Sequence, residues 1–376
     1  MTVAGGDSSL LRRLNAAAVL RVLYEAQSLT LTELVQSTAV TRATVENALA
    51  GLTEQSWVEE VAPDADGPRQ VGRPAKRYRF RAEAGCVLGL DIGVHTVRAV
   101  VTDLKGEVLG VRHTAVTPGL PGAERIAAAR VLGRRALRGC DRTTAEVRAV
   151  GIGTTGIVDA SGKVTLSALL PDWAGTDLCA ALAEPFDAPV VVGNDSKLAA
   201  LGEHWKGAAA AARDVLYIHA GRGISAGMLI DAKVHAGRRG AAGEIGNLPA
   251  SRWHTAPARL LGWTGEGQGD AEALFAAVRE RDPRALRILE QYADDLVQGV
   301  AAMVLALDPE LVVVGGGVAR AGDLLLDPLR SRLDGLVLFP VEVVASTLGD
   351  RSVALGAVRL ALDEVEKQLF EVASRG

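Results

Sequence analysis

Three glycine clusters carry the most visible chemistry in this chain. "LGLDIGVHTVRAVVTD", Leu88 to Asp103, reads as a strand, a glycine turn and a second strand, with the acid Asp91 two residues before Gly93. A hairpin built that way can grip nucleotide phosphate, because backbone N–H groups reach an anion closely only where no Cβ intervenes. "IHAGRGISAG" offers Gly221 and Gly223, and Gly315-Gly316-Gly317 follows the apolar run "ELVVV". A tight turn explains any one cluster. Three of them, each closing an apolar strand, point to a nucleotide-type cleft. Val94-His95 at the first turn is the discordant pair, since a β-branched residue holds backbone away from phosphate.

A second chemistry lies near the N-terminus. Thr41, Arg42, Thr44 and Asn47 open a helical stretch. Hydroxyls and helix-end N–H groups suit phosphates, while Arg and Asn suit base edges. Downstream, "WVEEVAPDADGPRQVGRPAKRYRF" carries Arg69, Arg73, Lys76, Arg77, Arg79 and, just beyond it, Arg81, with no acid after Asp66. Gly72-Arg73-Pro74 sets one arginine on a narrow loop that fits a minor groove.

These residues need particular elements behind them. Apolar Leu14, Ala18 and Val22 at helical spacing predict an amphipathic helix over 9–27. Thr30 with Glu33 forms a capping box for a short second helix, "STAV" is a turn, and Thr41 caps a third helix whose buried stripe is Val45, Leu49 and Leu52. That order matches a helix-turn-helix. Periodicity alone leaves a plain three-helix interaction module equally open. The basic segment, read as two strands around a Gly/Pro-rich loop, decides for a DNA-contacting wing over a solvated linker. From Cys86 onward, short apolar strands alternate with Ala/Leu-rich helices, the pattern of an α/β body. "VLGLDIGVHTVRAVVTDLKGEVL" and "VLYIHAGRGISAGMLIDAKVHAG" share one design, which predicts two similar subdomains facing a cleft.

Composition bounds the function. At 376 residues two or three domains are expected, and 48% apolar content can build their cores. A net charge of -4 gives no global attraction to nucleic acid or membrane, so DNA binding must be local. Cys86, Cys140 and Cys179 are far apart and offer neither a disulfide framework nor a thiolate zinc site. Without an apolar signal core or a membrane-length apolar run, the expectation is a cytoplasmic protein with no membrane partner.

The body resembles the sugar-kinase branch of the actin-like ATPase fold, specifically the ROK family (repressors, open reading frames and kinases). The quoted hairpin is similar to that family's first phosphate loop, "IHAGRGISAG" to the second, and "LDPELVVVGGGVARAGDLLLDPL" to its adenosine-binding segment. "VVVGNDSKLAALGEHW" resembles the stretch with the catalytic aspartate, and "AGRRGAAGEIGN" the sugar-contacting segment. A winged helix in front is the arrangement of the family's transcriptional repressors. The resemblance implies a winged helix-turn-helix over 1–81, a first kinase-like subdomain over 82–196 to which a helix at 352–376 returns, and a second over 197–351. It places Asp195 at the catalytic base, Asn194 and Glu244 at sugar hydroxyls, and Asp91 beside a metal–phosphate assembly. Read without the resemblance, Asp195 fits a helix N-cap, and Glu244 fits an ion pair with Arg238 or Arg239.

The chain also departs from the family. Val94-His95-Thr96 stands where a glycine-led run is usual, Asn247 where a histidine is usual, and Leu169 close to a usual asparagine. Thr155-Gly156 replaces a Pro-Gly turn, and "LPASRWHTAPARLLGWTGEGQGD" has His254 but no cysteine, so no zinc is expected. The expectation is a DNA-binding regulator, a repressor, whose cleft senses a sugar or sugar derivative without catalysis. It needs no cofactor, with ATP and Mg2+ binding weakened, and works as a homodimer or tetramer on double-stranded operator DNA. The alternatives are an active carbohydrate kinase with an accessory DNA-binding domain, with Asp195 as its base, and a regulator whose cleft is empty.

Overall fold

The computed structural model describes residues 7–62, 75–261, 263 and 271–371. The first helix runs Asp7–Glu25. Its buried residues are Val19, Leu20 and Leu23, whereas Leu14 is 48% exposed. The predicted stripe through Leu14, Ala18 and Val22 is therefore rotated. This helix is held between the third helix and the C-terminal helix, and those two neighbours set its buried side. The capping box forms as read: the Thr30 hydroxyl accepts from the Glu33 N–H, and the Glu33 carboxylate accepts from the Thr30 N–H at 2.6 Å. Helix Leu31–Thr38 ends at Ala39, whose φ of 54° turns the chain into helix Arg42–Glu54. Val45, Leu49 and Leu52 are its buried residues, as the spacing requires.

Strands Val58–Val61 and Arg77–Phe80 pair antiparallel, and Leu29–Thr30 adds a third strand. Residues 63–74, which include Arg69 and Arg73, lie outside the described residues. The basic run after Asp66 is less free than its composition implies. Strand register sets Glu59 opposite Arg79 and Glu60 beside Lys76. Arg79 pairs with Glu59 and Glu83, and Lys76 with Glu60 at 2.7 Å.

The body is two five-stranded sheets of one plan. In space the first runs Val190–Asn194, Val147–Thr154, Cys86–Ile92, Thr96–Thr102, Val108–Ala115. The second runs Glu342–Ala345, Leu311–Gly315, Val215–Ala220, Ile224–Ile230, Lys233–Val234. Each is an antiparallel meander followed by two parallel strands. The internal echo in the sequence is thus a repeated topology.

Helix Asp195–Lys206 follows the first sheet, and helix Ser352–Phe370 crosses it. A Cβ on Gly356 would collide with the Leu198 carbonyl, and one on Gly202 with that of Ser352, so the two backbones touch where they cross. At its far end the C-terminal helix meets the winged helix. Val19, Leu23, Leu52 and Phe80 share one buried cluster with Val87, Val100, Leu355, Val358 and Leu362. Tyr24 donates to the Leu104 carbonyl at 2.9 Å, and Lys105 to that of Ala26 at 2.7 Å. Arg142 donates to the Glu83 carbonyl at 2.9 Å, and Arg148 lies 5.1 Å over the Trp57 ring. Among the described residues no helix is long and apolar enough to cross a membrane.

Candidate functional site

The winged helix presents its third helix as the sequence suggests. The Thr41 hydroxyl accepts from the Thr44 N–H and lies 2.8 Å from the Thr44 hydroxyl. Arg42 and Asn47 are exposed, opposite the buried stripe. Arg42 pairs with Glu46 at 3.1 Å, an exposed contact of small energy that a phosphate or base edge can replace.

The three glycine turns converge on one cleft. Gly316 has a φ of +83°, and a Cβ there would collide with the Ala220 carbonyl, so only glycine fits. Gly221 approaches the Gly317 amide, and Gly315 is in register with His219. The first turn reaches across to the second through side chains: His95 Nε2 lies 3.3 Å from an Arg222 guanidinium nitrogen. The backbone amides are already partly engaged, since the Gly93 N–H donates to Thr96 and that of Gly221 to Gly223. Val94 packs against the first subdomain's core. Beside Gly316 lies a cavity of about 310 Å³ bounded by Arg320, Ser346, Leu348 and Asp350.

Four charges link the turns across the cleft floor. Arg98, opposite Asp91 in register, sits 3.5 Å from it and 3.6 Å from Asp350, which meets Arg320 at 3.2 Å. Burial pushes Asp91 up to about 7, opposed by Arg98 and reinforced by Asp195 and Asp350. Asp195 is also raised, by burial, against the lowering effects of His219, Ser196 and Lys197. Burial raises Glu244 too, with Lys197 opposing and Asp195 adding to the shift. Asp91, Asp195 and Glu244 therefore belong to one electrostatic site.

The cap is Asn194 rather than Asp195. Its amide oxygen accepts from the Lys197 N–H at 3.1 Å, and its nitrogen donates to the Gly156 carbonyl and Asp195, each at 3.0 Å. That leaves Asp195 as the first helical residue. Its Oδ1 takes the bonds from Asn194 and Ser196, and Oδ2 makes none among the described residues. A carboxylate oxygen left open in this way can accept a proton from a sugar hydroxyl. Glu244 forms no ion pair with Arg238 or Arg239. Its cationic neighbour is Lys197, which is 3% exposed and donates to the Gly240 carbonyl at 2.8 Å. Leu169 is 55% exposed, while Trp173 is buried and donates to the Thr154 hydroxyl at 2.9 Å.

Sequence reasoning passed over several of these groups. Counting around the first turn could have paired Arg98 with Asp91, and Lys197 stands two residues past Asp195. Arg125 carries no such signal. It is fully buried and donates to the carbonyls of Gly93 at 2.6 Å and Thr117 at 2.7 Å, so it braces the first turn from beneath. Among the described residues no cluster of three or more His, Cys, Asp or Glu is placed to hold a metal ion.

The ROK family profile matches residues 87–364, about three quarters of the chain. The chain belongs to the ROK family. An IclR helix-turn-helix domain profile matches residues 14–62, in front of the ROK body. A putative xylose repressor from a Caldicellulosiruptor species is 24% identical over 394 residues, covering 96% of this ROK protein and 98% of the relative. The crystal structure of a ROK family glucokinase from Streptomyces griseus, in complex with glucose and AMPPNP, is 28% identical with a TM-score of 0.63. It covers 74% of this chain and 100% of its own. A ROK family transcriptional regulator, a homologue of the E. coli MLC protein, has a TM-score of 0.73 at 18% identity, covering 96% of this chain and 98% of its own. The fold is therefore a helix-turn-helix head on a ROK sugar-kinase body.

Proposed function

We propose that this ROK protein is a DNA-binding transcriptional repressor whose kinase-like body senses a sugar or sugar derivative. The observation that carries the reading is the head. It is a helix-turn-helix with an exposed Thr41–Asn47 face, it shares a core with the body, and the likeness to a putative xylose repressor spans 96% of the chain. The likeness to the glucokinase covers only the body's share, 74%.

The operator is double-stranded DNA read in the cytoplasm by a homodimer, one head per half-site. Arg42 and Asn47 read base edges, Thr41 and Thr44 fix the backbone, and Lys76 and Arg73 extend the contact toward the wing. The effector's hydroxyls meet Asp195 and Glu244, with Asn194 holding Asp195 in place. Its binding favours one arrangement of the two subdomains, and a ligand shifts that equilibrium only if it binds the two arrangements unequally. The crossing of helix Asp195–Lys206 with the C-terminal helix supplies the connection to the head. The repressor works without ATP turnover or a resident metal. Support for this comes from Val94 at the first turn, the engaged Gly93 amide and the His95–Arg222 contact.

Fluorescence titration of promoter DNA at fixed salt, with and without a sugar panel, tests the reading. Specific binding relieved by one sugar class supports it, and absence of specific binding to any promoter fragment overturns it. A second reading, an active sugar kinase, is favoured by the open Oδ2 of Asp195. It predicts sugar-dependent ATP turnover that Asp195→Ala abolishes.

A further inference from the structure

The loop tips hold a surplus of positive charge that the repressor reading does not use. Arg222, at the tip of the second hairpin, is exposed and lies against His95 of the first. No carboxylate of the described residues lies within 4 Å of the Arg222 guanidinium. Arg125 sits beneath the first tip, fully buried, with carbonyl oxygens as its partners and no acid paired to it. Its Nε has no partner at all. A buried guanidinium with no counter-ion is costly unless an anion approaches. Arg125 and Arg222 both act electrostatically on His95, so the three groups form one positive locus.

This locus stands at a defined place relative to the hydroxyl site. Ser225 in the second hairpin touches Ser196, the neighbour of Asp195, and pairs in register with His219. From His219 to Arg222 is three residues, about 10 Å at the rise of a strand. Acids capable of binding hydroxyls therefore lie at one end of the cleft and cations at the other, separated by about the length of a monosaccharide ester.

We infer that the effector is a phosphate monoester of a sugar, with its phosphate held by Arg222 and His95 over the Arg125-braced turn and its hydroxyls by Asp195 and Glu244. This inference rests on the sugar-sensing reading and narrows it. The grip comes from side-chain cations rather than backbone amides, which suits one phosphate group better than a polyphosphate. Phosphate oxygens take the place of the direct His95–Arg222 contact and draw the two hairpins together. Such a ligand is the product of phosphoryl transfer to a sugar hydroxyl, so the protein would read the output of that class of reaction.

The test is calorimetric titration of the full chain with glucose, xylose, glucose 6-phosphate, xylose 5-phosphate, inorganic phosphate and ATP. A phosphorylated sugar is expected to bind at least about tenfold tighter than its parent, the usual size of a charge-assisted contact. Arg222→Ser should erase most of that preference, and His95→Gln should reduce it. Should Arg222→Ser fail to fold, Arg222→Lys keeps the charge without the planar fork and should retain a weakened preference. Equal affinity for parent and ester overturns the inference while sparing the sugar-sensing reading. An ester preference that survives Arg222→Ser, or equal binding of inorganic phosphate or ATP alone, also overturns it. Failure of every sugar and ester to bind overturns both.

Discussion

Asp91 is a carboxyl group in a poor environment for its charge. Its side chain is 14% exposed, and its pKa rises to about 7 although Arg98 is beside it. A folded-state value above the unfolded one means that the native state holds the proton more tightly. Stability from this group is present at acid pH and is lost as pH climbs from about 4 toward about 7. Asp91→Asn should therefore be more stable than the parent at pH 8, by roughly 1–2 kcal/mol, with little difference at pH 4. Urea unfolding at the two pH values measures this, and an unchanged gap between them would show the shift to be absent. Arg125 poses the opposite case. Arg125→Met leaves the carbonyls of Gly93 and Thr117 without donors and should cost about 2–4 kcal/mol. The same denaturation series reads it. Arg98, Arg125 and Lys197 went unassigned from sequence because each acts on a group remote in the chain or on the far side of a turn.

At the scale of elements, the third helix of the head depends on its cap. Thr41→Ala removes the oxygen that accepts the Thr44 N–H and should destabilise the protein by about 1 kcal/mol, besides weakening operator binding. Arg42→Ala should cost about 1–3 kcal/mol of operator affinity and relax preference at one base position, read by competition among operator variants. If base preference survives, Arg42 does not read an edge. Capping signals here were legible because they are local: Thr30, Glu33 and Thr41 act within three residues of themselves. The first helix was not, because its buried side was chosen by two distant helices and not by its own periodicity. The wing's charges followed the same rule. Arg79 looked unopposed along the chain, yet antiparallel pairing brought Glu59 across from it.

Over the whole molecule, head and body are one packed object. The cluster joining Val19, Leu52 and Phe80 to Val100, Val358 and Leu362 leaves no apolar gap between them. Calorimetry of the full chain should therefore show no separate early transition for the head, and residues 1–85 alone should be far less stable than in the intact protein. An early, reversible head transition would mean that the joint is loose. The helix crossing offers a sharper test. Gly356→Ala forces a methyl group against the Leu198 carbonyl and should cost about 1–3 kcal/mol. It should also blunt the effector's influence on operator affinity more than operator affinity itself, as measured by titrating DNA with and without effector.

Strand order, the doubled glycine hairpin, the helix caps and the presence of a DNA-reading head were all determined by the sequence, because each rests on periodicity or on contacts a few residues apart. Tertiary structure alone decided how the charges meet. Asn194 took the cap that Asp195 also suited, Lys197 rather than an arginine faced Glu244, and Asp350 came to stand between Arg98 and Arg320. Pairing energies between charges depend on distance and burial, and neither is written in the order of residues until the two subdomains have closed on each other.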